Sequence, residues 1–348
     1  MLVQSPPEPS AAPAAATRSR HGARAAGLLA AFGVLALIAV ASIAVGAKQM
    51  ALHEVWHGLF HFSGTASDVV VRDLRVPRTV LGVLVGLGLG LSGAVMQALT
   101  RNPLAEPGIL GVNAGAAAAV VSAVSFFGAS SLSEFVWWAF LGAAVVSVVV
   151  YVLGGSRSAT PVRLALAGTA ASAALIGYIN AVQLMDSEAL DKLRFWTVGS
   201  LASANMDTVR QVAPFLVVGA VLALCLGRPL NAMAMGDDTA RALGAHLTRT
   251  RIGAMIAITL LCGAATAACG PIVFVGLMIP HLVRFLTGPD MRWVLAYSAV
   301  LSPVLLLGAD VIGRVVTRPG ELQVGIVTAL IGGPVFIHLV RRKRTAQL

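Results

Sequence analysis

Apolar runs of about 20 residues recur from Ala25 to the end of the chain, and short segments with most of the Arg, Asp and Pro residues separate them. A helix of that length spans the hydrocarbon core of a bilayer. Of the 348 residues, 57% are hydrophobic and 11% are charged, which is typical of a membrane protein and unlike two soluble domains. Because lipid cannot satisfy backbone polar groups, the runs predict an all-α polytopic membrane protein.

The lengths and breaks of the apolar runs predict about ten transmembrane helices. Their ranges are 25–46, 79–98, 109–127, 135–154, 164–184, 208–227, 252–269, 272–287, 293–313 and 323–340. The run from Ile252 to Leu286 is too long for one helix, and Gly270-Pro271 is a pair that can break it. Without that break the number of spans would be odd.

The positive charges indicate the orientation of the chain. Sixteen of the 25 Lys and Arg residues fall on one side of the predicted spans and nine on the other, so the positive-inside rule places both chain ends in the cytoplasm. Residues 1–24 have little to bury and are expected to be a disordered cytoplasmic tail. A transmembrane domain over 25–342 and a cytoplasmic tail over 343–348 follow. This topology explains the net charge of +10, and no basic face with interleaved aromatics predicts nucleic-acid binding.

The segment from Arg75 to Gly111 combines a basic entry, a Gly-rich span and a polar turn broken by Pro. It reads RVPRTVLGVLVGLGLGLSGAVMQALTRNPLAEPGILG and contains R-x-P-R, S-G-x-x-x-Q and N-P-L-A-x-P-x-x-L-G. Further motifs are FWTVGSL at 195–201, LNAMAMGDDTARALG at 230–244, GPIVFVGLMIPHLVR at 270–284 and ADVIGR near the end. Together these closely resemble the FecCD-type permease family, the membrane subunits of type II ABC importers for ferric siderophores, haem and cobalamin. The resemblance covers roughly residues 30–342.

This resemblance implies the fold of a type II ABC importer permease, multi-pass in the cytoplasmic (inner) membrane and surrounded by its lipids. Two copies, or this chain and a paralogue, would pack around a path for an iron-siderophore-type chelate. Two ATPase subunits would hold ATP and Mg²⁺, and an extracytoplasmic substrate-binding protein would dock outside. This chain would be a transporter subunit, not an enzyme, with no cofactor of its own. Haem and cobalamin are alternative cargoes within the family.

The resemblance also implies roles for three arginines. Arg75, Arg78 and Arg314 match positions at which relatives bind acidic residues of the substrate-binding protein, and charge-assisted Arg–carboxylate pairs suit such docking. The residues alone are equally compatible with a helix start that carries arginines at the membrane interface.

The turn after the second span is a candidate gate. Asn102, Pro103 and Leu104 match a family turn at the cytoplasmic end of the translocation path, opposite the loop that contains Thr160. The alternative is a plain turn in which Asn caps and Pro stops the helix. The sequence TPVR at 160–163 departs from the small hydroxyl residues expected of a cobalamin permease.

The longest inner segment, from Leu230 to Thr250, predicts a pair of short amphipathic helices. Its resemblance to the family's coupling helices implies contact with an ATPase subunit, and the alternative is an interfacial helix on lipid. Gly236 and Gly244 would allow tight turns on either side. The residues assigned to coupling are Gly236, Asp237, Asp238, Ala240, Arg241, Leu243 and Gly244.

Polar residues inside apolar spans are costly in lipid and therefore need an explanation. Asp310 lies four residues before Arg314, which favours a helix-face ion pair over a proton relay. Gln97, His281 and Arg284 are expected to form interhelical hydrogen bonds, and a lone His predicts no metal site.

Missing motifs narrow the function. No G-x-x-x-x-G-K-[ST] sequence is present, so ATP hydrolysis is expected on a separate subunit. No catalytic constellation supports a membrane-embedded enzyme. The remaining rival is a proton- or sodium-coupled secondary transporter, for which Asp310 and the break at Gly270-Pro271 are the best features.

Overall fold

A computed structural model describes residues 14–155 and 160–345, and within these ranges the chain contains helices and no strand. The α-helices are α1 Ala14–Ala44, α2 Leu52–Phe60, α3 Ala66–Val69, α4 Val76–Thr100, α5 Val112–Phe127, α6 Leu132–Leu153, α7 Pro161–Met185, α8 Ser187–Trp196, α9 Met206–Cys225, α10 Gly227–Ala234, α11 Asp237–Ala242, α12 Leu247–Cys269, α13 Val275–Thr287, α14 Met291–Val316 and α15 Val324–Thr345.

Ten of these helices correspond one by one to the ten predicted spans: α1, α4, α5, α6, α7, α9, α12, α13, α14 and α15. Seven are long and apolar enough to cross a membrane, and Val112–Phe127, Val275–Thr287 and Val324–His338 are shorter apolar helices. The predicted all-α polytopic architecture is therefore confirmed for the part of the chain that the structure describes.

The chain ends differ from the prediction. Because α1 begins at Ala14, residues 14–24 are helical and do not form the predicted disordered tail. Similarly, α15 continues to Thr345 into the predicted C-terminal tail. The remaining parts of these two tails, 1–13 and 346–348, lie outside the described residues.

The predicted break between the seventh and eighth spans is present. α12 ends at Cys269, and Gly270 has a φ of 74°, which favours glycine. Pro271 follows, and Phe274, with a φ of 70°, precedes the first residue of α13. A Cβ at Gly270 would collide with the carbonyl oxygen of Trp196, so the break also fits closely against the end of α8. The apolar run from Ile252 to Leu286 therefore forms two helices rather than one.

α4 lies at the centre of the bundle and packs on α9, α12, α13 and α14. A π-helical turn, Val70–Arg75, joins it to α3, so the continuous helical segment runs from Ala66 to Thr100. Its glycines allow close backbone approach, as a Cβ at Gly93 would collide with the carbonyl oxygen of Gly276 in α13. By contrast, α1 and α7 leave large apolar side chains such as Leu37 and Leu184 exposed.

Candidate functional site

The end of the molecule that the charge pattern predicts to be external contains a buried network of arginines and carboxylates. Arg78, in the first turn of α4, approaches Asp310 of α14 to 2.7 Å and Glu321 to 2.7 Å. Arg314 lies 2.9 Å from the second oxygen of Asp310, which confirms the predicted i, i+4 ion pair. Asp310 is fully buried, so one carboxylate compensates two guanidinium groups away from water.

Arg75 and Arg314 also satisfy carbonyl groups at the end of α1 and in the segment that follows it. Arg75 donates hydrogen bonds of 2.6–2.8 Å to the carbonyl oxygens of Ile43, Ala44 and Lys48. Arg314 donates to the carbonyl oxygens of Ser42 and Val45 at 2.9 and 3.0 Å. The last carbonyls of a helix have no partner within it, so cations at this position stabilise the helix end.

Burial changes how the three predicted docking arginines are interpreted. Arg75, Arg78 and Arg314 are 5%, 8% and 2% exposed, so their guanidinium groups face internal partners. Their role in docking a substrate-binding protein stays a prediction. Arg72 and Arg318 are the exposed arginines in the same region. Sequence patterns did not separate the buried from the exposed arginines because all five flank apolar runs.

The predicted gate segments lie on either side of one cavity. Asn102 accepts a hydrogen bond of 3.0 Å from the Leu104 N–H, the turn that Asn-Pro predicts. Thr160 caps α7 by accepting from the Arg163 N–H at 3.4 Å. A cavity of about 320 Å³ lies between the Asn102 turn and the first turns of α7, including Val162 just after Thr160. The structure thus brings the two segments together.

Glu106 is a polar residue that the sequence interpretation missed. It lies in the segment between α4 and α5, and its Oε1 accepts a hydrogen bond of 3.2 Å from the N–H of Phe274 at the start of α13. The carboxyl group thereby joins the candidate gate segment to the broken helix. An acidic residue before Pro107 and next to an apolar run could have indicated a buried polar contact. It was overlooked because Glu106 occupies the unspecified position x of the motif N-P-L-A-x-P.

The segment predicted to couple to an ATPase contains α10 and α11. Gly236 and Gly244 have φ values of 104° and 79°, as their predicted turns require. Asp238, Arg241 and Leu243 are exposed, and Ala240 is buried. Ala240 therefore packs against the protein, whereas Leu243 faces outwards.

Asp237 connects the segment of α10 and α11 to the helix bundle through ion pairs. Its carboxylate contacts Arg101 at the end of α4 and lies 2.7 Å from Arg251 in α12. Arg101 also donates a 2.9 Å hydrogen bond to the carbonyl oxygen of Met233 in α10. Partial burial raises the pKa of Asp237, but the two guanidinium groups outweigh it and hold the pKa below its ordinary value. The prediction had included Asp237 but not Arg101.

A model of the FecCD transport family matches residues 34–342. The chain belongs to this family. It is 49% identical over 320 residues to the ferric enterobactin transport system permease protein FepD of Escherichia coli (strain K12), covering 89% of this chain and 94% of the relative. It is 41% identical to the iron(3+)-hydroxamate import system permease protein FhuB of Bacillus subtilis (strain 168), covering 91% and 83%.

The fold of this FecCD protein is also similar to a solved structure. An inward-facing conformation of a metal-chelate type ABC transporter superimposes with a TM-score of 0.79 and 28% identity, covering 90% of this chain and 98% of the other. Membership of the FecCD family makes the chain a transporter permease subunit and not an enzyme. Such permeases work with ATPase and substrate-binding partners.

The polar residues inside the spans of this FecCD chain connect helices. The Gln97 amide donates to the carbonyl oxygen of Leu277 in α13 at 3.0 Å, which confirms the expected interhelical hydrogen bond. The side-chain oxygen of Gln97 accepts a hydrogen bond from Arg284, which also lies in α13. His281 lies one turn before Arg284 in α13 and is only partly exposed. Among the described residues, no group of three His, Cys, Asp or Glu side chains could hold a metal ion.

Proposed function

We propose that this chain is the permease subunit of an ABC importer that moves a ferric chelate of the siderophore type across the cytoplasmic membrane. One observation carries the cargo class: the chain matches permeases for ferric enterobactin and for iron(3+)-hydroxamates over most of its length. The apolar helices and the positive-inside pattern support a multi-pass location in the inner membrane.

Transport proceeds by alternating access in a complex with a second permease copy or a paralogue. Two ATPase subunits bind ATP and Mg²⁺ and close on each other. The exposed side chains of Asp238 and Arg241 in α11 contact an ATPase subunit. The ion pairs of Asp237 with Arg101 and Arg251 pass the motion of that subunit to α4 and α12. Asn102, Pro103, Leu104 and Thr160 border the inner gate, supported by the cavity between their segments.

The substrate-binding protein docks at the external arginine cluster. The buried arginines Arg75, Arg78 and Arg314 contribute positive charge and hold the local backbone, and Arg72 and Arg318 have the exposure needed for direct pairs with acidic side chains. Asp310 and Glu321 are the carboxylates among the ion pairs of this cluster, so the arginines outnumber them. An acidic protein surface complements such a site.

Within the part of the chain that the structure describes, no feature favours a proton- or sodium-coupled carrier. That mechanism needs an ionisable group that water or an ion can reach near the membrane centre. Asp310, the best candidate in the sequence, has no exposed surface and is held by Arg78 and Arg314.

The test is uptake of a radiolabelled ferric siderophore into proteoliposomes that contain this chain, its ATPase subunit and a candidate substrate-binding protein. We expect uptake only with ATP and the binding protein, and parallel assays with haem and cobalamin identify the cargo. Uptake driven by a proton gradient in liposomes that contain this chain alone would refute the proposal.

A further inference from the structure

A second cavity, of about 250 Å³, lies beside the segment that contains α10 and α11. Its wall is formed by the ends of α4 and α10, by α13, and by the loop before α14. Two arginines line it, Arg101 and Arg284, together with Gln97 and Ala234, the last residue of α10. The cavity therefore combines positive charge with a position next to the candidate ATPase contact.

The two arginines differ in how their charges are compensated. Arg101 contacts the carboxylate of Asp237. Arg284 is half-buried, and its contacts are the amide oxygen of Gln97 and, at 4.0 Å, the sulfur of Met291. Among the described residues it has no carboxylate within ion-pair distance. Burying an uncompensated cation costs free energy, so a partner that supplies an anion would gain by binding here.

The residues around Arg284 leave its positive charge uncompensated and hold its guanidinium group in place. Asp237 is shared by Arg101 and Arg251, so this carboxylate is already occupied by two guanidinium groups. The Gln97 amide group donates to the Leu277 carbonyl, which directs its oxygen towards Arg284 and holds the guanidinium in place. A fixed guanidinium at a concave surface is well suited to receive a carboxylate with directional hydrogen bonds.

We propose that Arg284 binds an acidic side chain of the ATPase subunit, which enters the cavity beside α10 when the two proteins associate. This inference rests on the proposed function, because it requires an ATPase partner on this face. It adds a second contact, on α13, to the one made by the exposed residues of α11. Through Gln97, the contact would connect the ATPase subunit directly to α4 and α13.

The experiment compares Arg284→Gln and Arg284→Lys in purified permease, with Arg210→Gln as a control that removes one exposed positive charge near the start of α9, at the opposite end. Affinity for the ATPase subunit is measured at low and high salt in nanodiscs of neutral lipid. We expect Arg284→Gln to weaken binding at least about tenfold and to reduce its salt dependence. Arg284→Lys should retain most of the affinity, and Arg210→Gln should bind as the wild type does.

A melting experiment on the isolated permease separates this role from a structural one. Among the described residues Arg284 has no carboxylate partner, and a glutamine amide at this position can still donate to the Gln97 oxygen, so Arg284→Gln should change the melting temperature little. A clearly lower melting temperature, or unchanged ATPase affinity, would overturn the inference. If anionic lipid stabilises the wild type but not Arg284→Gln while ATPase affinity is unchanged, the anion is a lipid headgroup. Wild-type permease that binds no ATPase subunit would refute the proposed function and this inference together.

Discussion

The guanidinium group of Arg78 binds the carboxylate of Asp310, a residue 232 positions further along the chain, with a closest distance of 2.7 Å. This contact joins the start of α4 to α14, and Arg314 extends it to the end of α1 through Ser42. Three spans are thus tied together at the predicted external end by one buried carboxylate. The network resists separation of these spans and makes this end of the bundle rigid.

Replacing Asp310 with Asn should destabilise the permease strongly. The change leaves Arg78 and Arg314 buried without their shared anion, and loss of one partner of a buried ion pair typically costs about 3–5 kcal/mol. The check is the melting temperature of the purified protein. Asp207→Asn is the matched control, because Asp207 pairs with Arg210 at 3.3 Å with both side chains more than 70% exposed. That pair should contribute less than about 1 kcal/mol.

Charge reversal should separate the exposed arginines from the buried ones. We expect Arg72→Glu and Arg318→Glu to weaken binding of the substrate-binding protein and its stimulation of ATP hydrolysis, with little change in melting temperature. Arg75→Glu should lower the melting temperature, because the carboxylate would repel the carbonyl oxygens at the end of α1. Normal stimulation by the Arg72→Glu, Arg318→Glu double variant would contradict docking through these residues.

The helices were predictable because their causes are local. Each apolar run of sufficient length corresponds to one span, so the runs predict how many spans there are. The backbone preferences of Gly270-Pro271 specify the break between α12 and α13. The i, i+4 spacing of Asp310 and Arg314 likewise predicted their ion pair. The early start of α1 was missed because composition alone suggested a tail.

Contacts between distant segments were not predictable in the same way. Nothing local indicates that Arg75 reaches the end of α1 or that Arg101 reaches Asp237, since both depend on how the helices pack. Arg78 was assigned a surface role because an arginine next to a span has the same local pattern whether it faces a partner or a buried carboxylate. The functional residues that escaped the sequence analysis, Arg101 and Glu106, share this dependence on packing.

The crossing of α4 and α13 should tolerate no side chain at Gly93. Gly93→Ala would place a Cβ against the carbonyl oxygen of Gly276, so the helices must separate and lose packing. Overpacking of this kind costs about 1–3 kcal/mol or more. Gly33→Ala in α1 is the control, because no atom lies within 4 Å of its Cβ position. An equal melting temperature for the two variants would show that the helices do not cross this closely.

The contribution of Asp237 to stability should depend on pH in one direction. Its pKa is held below the ordinary carboxyl value of about 3.9, so its stabilising effect is complete above that pH and disappears as the pH falls through the lower folded value. Asp237→Asn should therefore melt at a lower temperature than the wild type at pH 7, by an amount that shrinks below about pH 4. Asp238→Asn, at a fully exposed carboxylate, should show no such difference.

Glu106 tests whether the gate segment and the broken helix act as one unit. Its Oε1 accepts the Phe274 N–H at the start of α13, and burial raises the pKa of this carboxyl group above its ordinary value. A hydrogen bond typically contributes about 0.5–1.5 kcal/mol, so Glu106→Ala should lower the melting temperature. Glu106→Gln retains an acceptor oxygen and should lose less.

Transport distinguishes a mechanical link from a merely stabilising one. If Glu106 holds the Asn102 turn in register with α13, Glu106→Ala should slow ATP-driven uptake more than it slows ATP hydrolysis, because the ATPase cycle no longer moves the gate fully. Glu106→Gln should keep the two rates coupled. Equal loss of uptake and hydrolysis in Glu106→Ala would assign this residue a role in stability only, and the gate segment would then move independently of the broken helix.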